Sequence, residues 1–238
     1  MHLFYAPEIT GSTHTLQKDE SRHCIKVLRL KGNDAVHLTD GRGNLFLTII
    51  EDPDPEKCRL RIIETFRDYQ RKPWNLHIAI APPKSPDRLE WFLEKVTEIG
   101  INEITPVFCT RSERRIVNLS RMEKVLIAAM KQSLKAFLPV LHEPYSFRDF
   151  ISRPFAGQKF IAYCETGPEK ELYQHYLAGS DVLILIGPEG DFSGDEIIQA
   201  KMLGFVPIKL GKSRLRTETA GLVACHTINL INQMYSAR

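Results

Sequence analysis

Two spacings of apolar residues divide the chain. Up to about residue 66 the apolar positions alternate in short runs. Ala35-Val36-His37-Leu38-Thr39 and residues 45–50 flank the turn sequence Asp40-Gly41-Arg42-Gly43-Asn44, which predicts a hairpin, and residues 58–66 supply a further strand. From Leu76 onward, buried-type apolar runs at 76–81, 104–109, 160–164, 182–186 and 206–210 alternate with helical patterns. After the first run, Ser85 is placed to cap a helix with Pro86 at its first position. Leu89, Phe92, Leu93, Val96 and Ile99 then recur at spacings of three and four, and Gly100 closes the pattern. Ser120 and Glu123 have capping-box spacing, which predicts a second helix from there to about Ala136, before Pro139. Such alternation predicts an α/β domain with a mostly parallel sheet covered by helices on both faces. The polar stretch 67–73 ends in proline and separates the two patterns, so the expected domains are 1–70 and 74–238.

In the first domain, residues 19–29 read as a short helix with Ile25 and Leu28 inward and Arg22, Lys26 and Arg29 on the opposite side. That basic side reads either as a solvated face or as a phosphate-contacting surface. The net charge of +3 across 238 residues does not decide, because phosphate neutralisation needs a local patch rather than a net excess. The five cysteines are far apart, with no C-x-x-C and no histidine at ligand spacing beside them. They predict reduced thiols and no structural metal. No long apolar run or basic leader is evident at the start, so a cytoplasmic protein is expected.

The candidate chemistry lies between residues 183 and 230. The run 182–186 stops at Gly187-Pro188-Glu189-Gly190-Asp191-Phe192, and the run 206–210 stops at Gly211-Lys212-Ser213-Arg214-Leu215-Arg216-Thr217-Glu218-Thr219-Ala220. Each is followed by a helical pattern, so both loops are expected at the carboxyl ends of neighbouring strands, where open α/β sheets place their ligands. A P-loop is excluded: the glycine required five positions before Gly211 is Val206. There is no G-x-G-x-x-G either. The 187–190 turn reads as a plain strand-to-helix connection or as a rigid backbone surface for a flat heterocycle such as adenine. Thr217 is placed to cap the last helix, leaving Arg216 at the mouth of the loop and Glu218 in the first turn. Glu218 also reads as a helix-dipole partner, and Arg216 as an ion-pair partner of Glu218 or Glu189.

Taken together, these motifs resemble the SPOUT superfamily of S-adenosylmethionine-dependent RNA methyltransferases, and more narrowly the family that methylates N3 of a uridine in 16S ribosomal RNA. The resemblance is carried by residues 185–193, Leu210-Gly211 and 215–220. It is supported by 88–91, 95–100, Arg111-Ser112, Gln132-Ser133 and Leu138-Pro139, with 23–32 and Asp40-Gly41 matching a PUA-like RNA-binding β-barrel. The chain departs from the family at Asp191, where glycine is usual, and at Lys131, Lys135 and Arg214.

The resemblance implies a small amino-terminal PUA-like barrel and a carboxyl-terminal SPOUT domain with a trefoil knot. It also implies a homodimer, with the apolar helix ending at Tyr235 as an interface element, and the small ribosomal subunit as substrate. The cofactor would lie among Cys164, Glu165, Thr166, Ile186, Gly187, Pro188, Glu189, Gly190, Leu210, Gly211, Leu215, Arg216, Thr219 and Ala220. Arg216 or Arg111 would stabilise the uracil anion, with Glu218 or Glu189 orienting that arginine. Arg22, Lys26, Arg29, Arg42, Arg114 and Arg115 would contact RNA. Methyl transfer requires no metal. Two other functions fit similar motifs: ribose 2′-O-methylation by another SPOUT enzyme, and a non-catalytic RNA-binding or ribosome-assembly role.

Overall fold

The computed structural model describes residues 2–164 and 170–236. The chain forms two compact units, one taking the residues up to Arg71 together with Met130–Leu138, the other Lys72–Ala129 and the chain from Pro139 on.

In the first unit, β1 (Leu3–Tyr5), β2 (Thr13–Thr15), β3 (Ala35–Thr39), β4 (Leu45–Asp52) and β5 (Arg59–Phe66) form one sheet in the order β1-β3-β4-β5-β2. β3 and β4 pair antiparallel across the predicted turn, and β1 pairs parallel with β3. Alternation sends Val36, Leu38, Ile50 and Leu60 into a core with Phe4, Leu16, Cys24 and Cys58. The helix expected over 19–29 is two short pieces instead. α1 (Lys18–Arg22) runs into a π-helical turn (His23–Val27), and Arg29, with a φ of 57°, ends it. Cys24 and Ser21 are buried, Ile25 and Leu28 are half-buried, and Arg22, Lys26 and Arg29 are exposed, so the predicted basic face is present. Ser21 fixes the piece, its hydroxyl donating to the Leu16 carbonyl and accepting from the Cys58 N–H, both at 3.0 Å.

The segment 130–138 belongs to this unit because its backbone completes the β3–β4 turn. Gly43 N–H and the Thr39 hydroxyl both donate to the Ala136 carbonyl, at 2.9 and 3.0 Å, and Leu138 N–H donates to Gly41 at 2.8 Å. Gly43 has a φ of 101°, and a Cβ there would sit 2.2 Å from the Phe137 ring, so no side chain fits.

In the second unit, β6 (Leu76–Ile80), β7 (Glu103–Phe108), β8 (Val140–Leu141), β9 (Tyr145–Ser146), β10 (Gln158–Ala162), β11 (Val182–Ile186) and β12 (Val206–Ile208) form a sheet. Its order is β12-β10-β11-β6-β7-β8, with β9 also on β7, and its pairings are parallel. β6 and β11 are buried at every position, as expected of central parallel strands that read as continuous apolar runs. The helices are α2 (Pro86–Ile99), α3 (Leu119–Gln132), α4 (Phe147–Ile151), α5 (Leu172–His175), α6 (Gly194–Met202) and α7 (Thr217–Ser236).

α2 starts and stops where its sequence predicts, with Gly100 in the left-handed region at φ 118°, although the Ser85 side chain makes no cap bond. α3 departs at both ends. Asn118, not Ser120, caps it by accepting from Arg121 N–H at 3.1 Å, and the helix ends at Gln132, well short of Ala136, with Leu134 at a φ of 56°. α7 packs closely on α2: a Cβ on Gly221 would meet the Phe92 ring at 2.5 Å.

Candidate functional site

Because the sheet is parallel, the loops after β6, β7, β10, β11 and β12 leave one edge together. The loops after β11 and β12 do not follow neighbouring strands, as the sequence pattern suggested: β10 stands between them. That order puts Cys164, at the end of β10, between the two. Glu165 and Thr166, the other expected cofactor residues of this loop, lie outside the described residues.

The loop after β11 is built as a clamped turn. Ile186, Gly187 and Pro188 are buried, Glu189 is half-buried and Gly190 is exposed. The Gly187 Cα faces the Phe192 ring, which a Cβ would meet at 3.0 Å. Arg111, from the loop after β7, donates through Nη1 to the carbonyls of Gly190 (2.9 Å) and Phe192 (3.3 Å). The Glu189 carboxylate accepts the Lys84 backbone N–H at 3.0 Å, and Lys84 Nζ pairs with Glu113 at 2.9 Å, which pushes the lysine's pKa up. Ser193 and Glu196 then form a capping box at the start of α6, and the second Glu196 oxygen accepts from Thr110 N–H at 2.8 Å.

Asp191 occupies a left-handed conformation, φ 62°. This explains physically why glycine suits the position, and aspartate is among the few other residues that tolerate it. Its carboxylate accepts from Cys164 N–H at 2.8 Å and from Phe192 N–H at 2.8 Å, so it ties the loop after β10 to the loop after β11. Burial and the Asp191 charge push the Cys164 thiol pKa up, against Arg214, so Cys164 is held as a thiol rather than a nucleophilic thiolate.

The loop after β12 is anchored through Gly211. Its φ is 115°, and its N–H donates to Glu171 at 2.8 Å. Leu210 and Leu215 are half-buried. Thr217 is not the cap of α7 but its first residue; its hydroxyl donates to the Gly187 carbonyl at 3.0 Å and so fastens the helix start to the loop after β11. The capping position falls to Arg216, whose carbonyl accepts from Ala220 N–H at 2.7 Å while its side chain is exposed. Thr219 and Ala220 are half-buried on the first turn.

Glu218 is the unusual group. Its side chain is only 8% exposed, with Oε1 3.8 Å from Arg88 Nε and Oε2 buried without a hydrogen-bond partner. Neither carboxylate therefore orients Arg216 or Arg111: Glu218 faces Arg88, and Glu189 faces a backbone amide. The sequence carried Arg88 only within the 88–91 motif, with no role for it, and did not single out Lys84. Arg88 carried a signal, since a cation in the first turn of α2 opposes the helix dipole and needs a carboxylate to hold it. A buried carboxylate oxygen without a hydrogen-bond donor is costly, which sets Glu218 apart from the other acidic groups of these loops.

The RNA candidates separate by unit. In the first, Lys26, Arg29 and Arg42 are exposed, and Arg22 lies 3.5 Å from Glu56. In the second, Arg114 donates to the Ile116 and Lys84 carbonyls, and Arg115 to those of Cys109 and Thr110.

A parallel α/β sheet with ligand-competent loops over one edge, joined to a small β-unit with a basic face, defines a two-unit enzyme of the SPOUT type. The chain belongs to the RNA methyltransferase family: it matches the RNA methyltransferase domain over residues 70–229 and the RNA methyltransferase PUA domain over residues 16–63. It is similar to a probable rRNA-methyltransferase from Porphyromonas gingivalis, at 44% identity and a TM-score of 0.91, over 99% of this chain and 100% of that one. A ribosomal RNA small subunit methyltransferase E from Neisseria gonorrhoeae, crystallised with S-adenosyl methionine, matches at 28% identity and a TM-score of 0.86, over 97% of this chain and 98% of that one. The protein of the same name from Rickettsia conorii is 29% identical, over 91% of this chain and 89% of its own length.

Proposed function

We propose that this protein transfers a methyl group from S-adenosylmethionine to N3 of a uridine in the 16S rRNA of the small ribosomal subunit. The observation that carries the reading is the buried Glu218 oxygen without a partner, set where Thr217 joins α7 to the Gly187 carbonyl. A donor-bearing ligand bound among these loops would supply the partner that this oxygen lacks. The similarity to proteins named for this activity supports the substrate class.

The cofactor supplies an activated methyl group. Residues 186–190, Leu210, Gly211, Leu215, Thr219, Ala220 and the 164–166 stretch would hold it, with Glu218 Oε2 accepting a hydrogen bond from the bound ligand. Arg88 stands 3.8 Å from the other oxygen of that carboxylate, while Arg111 and the Lys84 amide keep the 187–192 turn in shape. Among the described residues no ion pair or hydrogen bond engages the Arg216 side chain, which leaves it to meet negative charge spreading onto the uracil carbonyl oxygens as the N3 proton departs to water. Lys26, Arg29, Arg42, Arg22, Arg114 and Arg115 would contact phosphates, and the target base must be unstacked to be reached.

Three further parts of the reading have support of their own. β12 lies at the sheet edge on β10, while α7, which follows it, packs back on β6, β11 and α2, an arrangement in keeping with a trefoil knot. Leu230, Met234 and Tyr235 at the end of α7 expose apolar surface suited to a homodimer. No helix of the described residues is long and apolar enough to cross a membrane, in keeping with work in the cytoplasm.

The test is methyl transfer and cofactor binding measured on the same variants. Arg216→Ala is expected to slow transfer by about a hundredfold or more with cofactor affinity unchanged, and Glu218→Gln to weaken cofactor binding. Full transfer by Arg216→Ala with unchanged cofactor binding contradicts the assignment.

A further inference from the structure

At the opposite end of the same strands, the register collects a different set of groups. His77 pairs with Glu103 across β6 and β7, and Glu103 pairs with Val140 on β8. His142 lies two residues beyond Val140, so parallel pairing puts all three side chains on one face. Among the described residues they form the one group of three potential metal ligands, with their ligand atoms within 4.8 Å of one another. His77 Nδ1 is 3.8 Å, and His142 Nε2 2.7 Å, from the same oxygen, Glu103 Oε2.

We propose that His77, Glu103 and His142 form a binding site for one borderline divalent cation, zinc foremost, separate from the methyl-transfer site. Ligand atoms about 2.1 Å from a tetrahedral ion are about 3.4 Å apart, so the observed 2.7 and 3.8 Å to Glu103 straddle the required spacing, and all three ligand atoms lie within 4.8 Å of one another. Two imidazoles and one carboxylate select zinc and its transition-metal neighbours over magnesium or calcium, and leave a fourth position for water.

The surroundings are those of a ligating set. His77 Nε2 lies 2.8 Å from the Thr105 hydroxyl; with Nε2–H donating there, Nδ1 turns a lone pair toward Glu103. The Asn75 side-chain amide donates to the other Glu103 oxygen. The neighbouring cation Arg153 is drawn over the Tyr145 ring, 4.7 Å from its centroid.

His77 sits four residues before Ala81, about 13 Å along the strand, so the site is remote from the loops at the other edge. Its effect would be structural: it joins β6 and β7 to β8, a strand of two residues.

The test uses the full-length protein stripped with a chelator and titrated with zinc alone against a chromophoric competitor. Expected is one zinc per chain and a higher melting temperature in its presence. His142→Ala should weaken binding by at least about a hundredfold, and Thr105→Val, which keeps the volume but removes the partner of His77, by about tenfold to a hundredfold. Cys164→Ser, at the exposed thiol, should leave it unchanged. S-adenosylmethionine binding by His142→Ala and Thr105→Val checks folding independently. Binding of less than one equivalent, or equal binding by wild type, His142→Ala and Thr105→Val, overturns the site.

Discussion

Asp191 shows how much one residue can do that its sequence position does not announce. The backbone conformation at φ 62° costs a non-glycine residue on the order of 1–3 kcal/mol, and aspartate offsets part of that by accepting two backbone hydrogen bonds. Asp191→Asn tolerates the same conformation but loses the charge. Cofactor affinity is expected to fall about fivefold, the worth of one hydrogen bond, measured by calorimetry. The same substitution removes a charge that raises the Cys164 pKa, so thiolate becomes available at lower pH. The pH profile of Cys164 alkylation should therefore move down in Asp191→Asn, and an unmoved profile would show that Asp191 does not act on Cys164. Residue type was legible here and conformation was not, since nothing in the letters Gly-Asp-Phe reports a positive φ. For the same reason Glu218 was found as a candidate while its partner was not: Arg88 lies far away in sequence and meets it only through the packing of α2 on α7.

At the scale of elements, α2 and α7 carry the Arg88–Glu218 pair of the proposed site between them. α2 presents Arg88, α7 presents Glu218, and Gly221 lets the two helices approach until the Phe92 ring fills the space a side chain would take. Gly221→Ala is expected to destabilise the protein by about 1–3 kcal/mol despite alanine's better helix propensity, and to weaken cofactor binding as Glu218 shifts. Denaturant titration checks it; an equal or higher midpoint would show that the contact is not limiting. Both helices were legible because their apolar residues recur at helical spacing over many turns. The helix near residue 20 and its basic face were legible but its π turn was not, because one short amphipathic stretch looks alike whether its turns are α or π. The edge strand β8 went unread for want of length, as did β1 and β2.

At the scale of the molecule, the alternation of strand and helix from Leu76 made the parallel sheet legible, but strand order was not, and so β10 was missed as the neighbour between the two loops. Nor does periodicity indicate that 130–138 leaves the α/β unit to complete the first one. This has a measurable consequence. A fragment ending at Arg71 lacks Ala136, which packs with Leu3 and Leu45 and accepts from Gly43 and Thr39. It is expected to melt without a cooperative transition by circular dichroism, whereas a cooperative melt at the temperature of the intact chain would show the segment to be dispensable.

Incubating the purified protein with methyl-labelled S-adenosylmethionine and small ribosomal subunits lacking the modification, then digesting the RNA to nucleosides, reads the methylated atom itself. Label is expected in 3-methyluridine from 16S rRNA. Label in a ribose-methylated nucleoside, or none from a protein that binds the cofactor, would overturn methylation at N3.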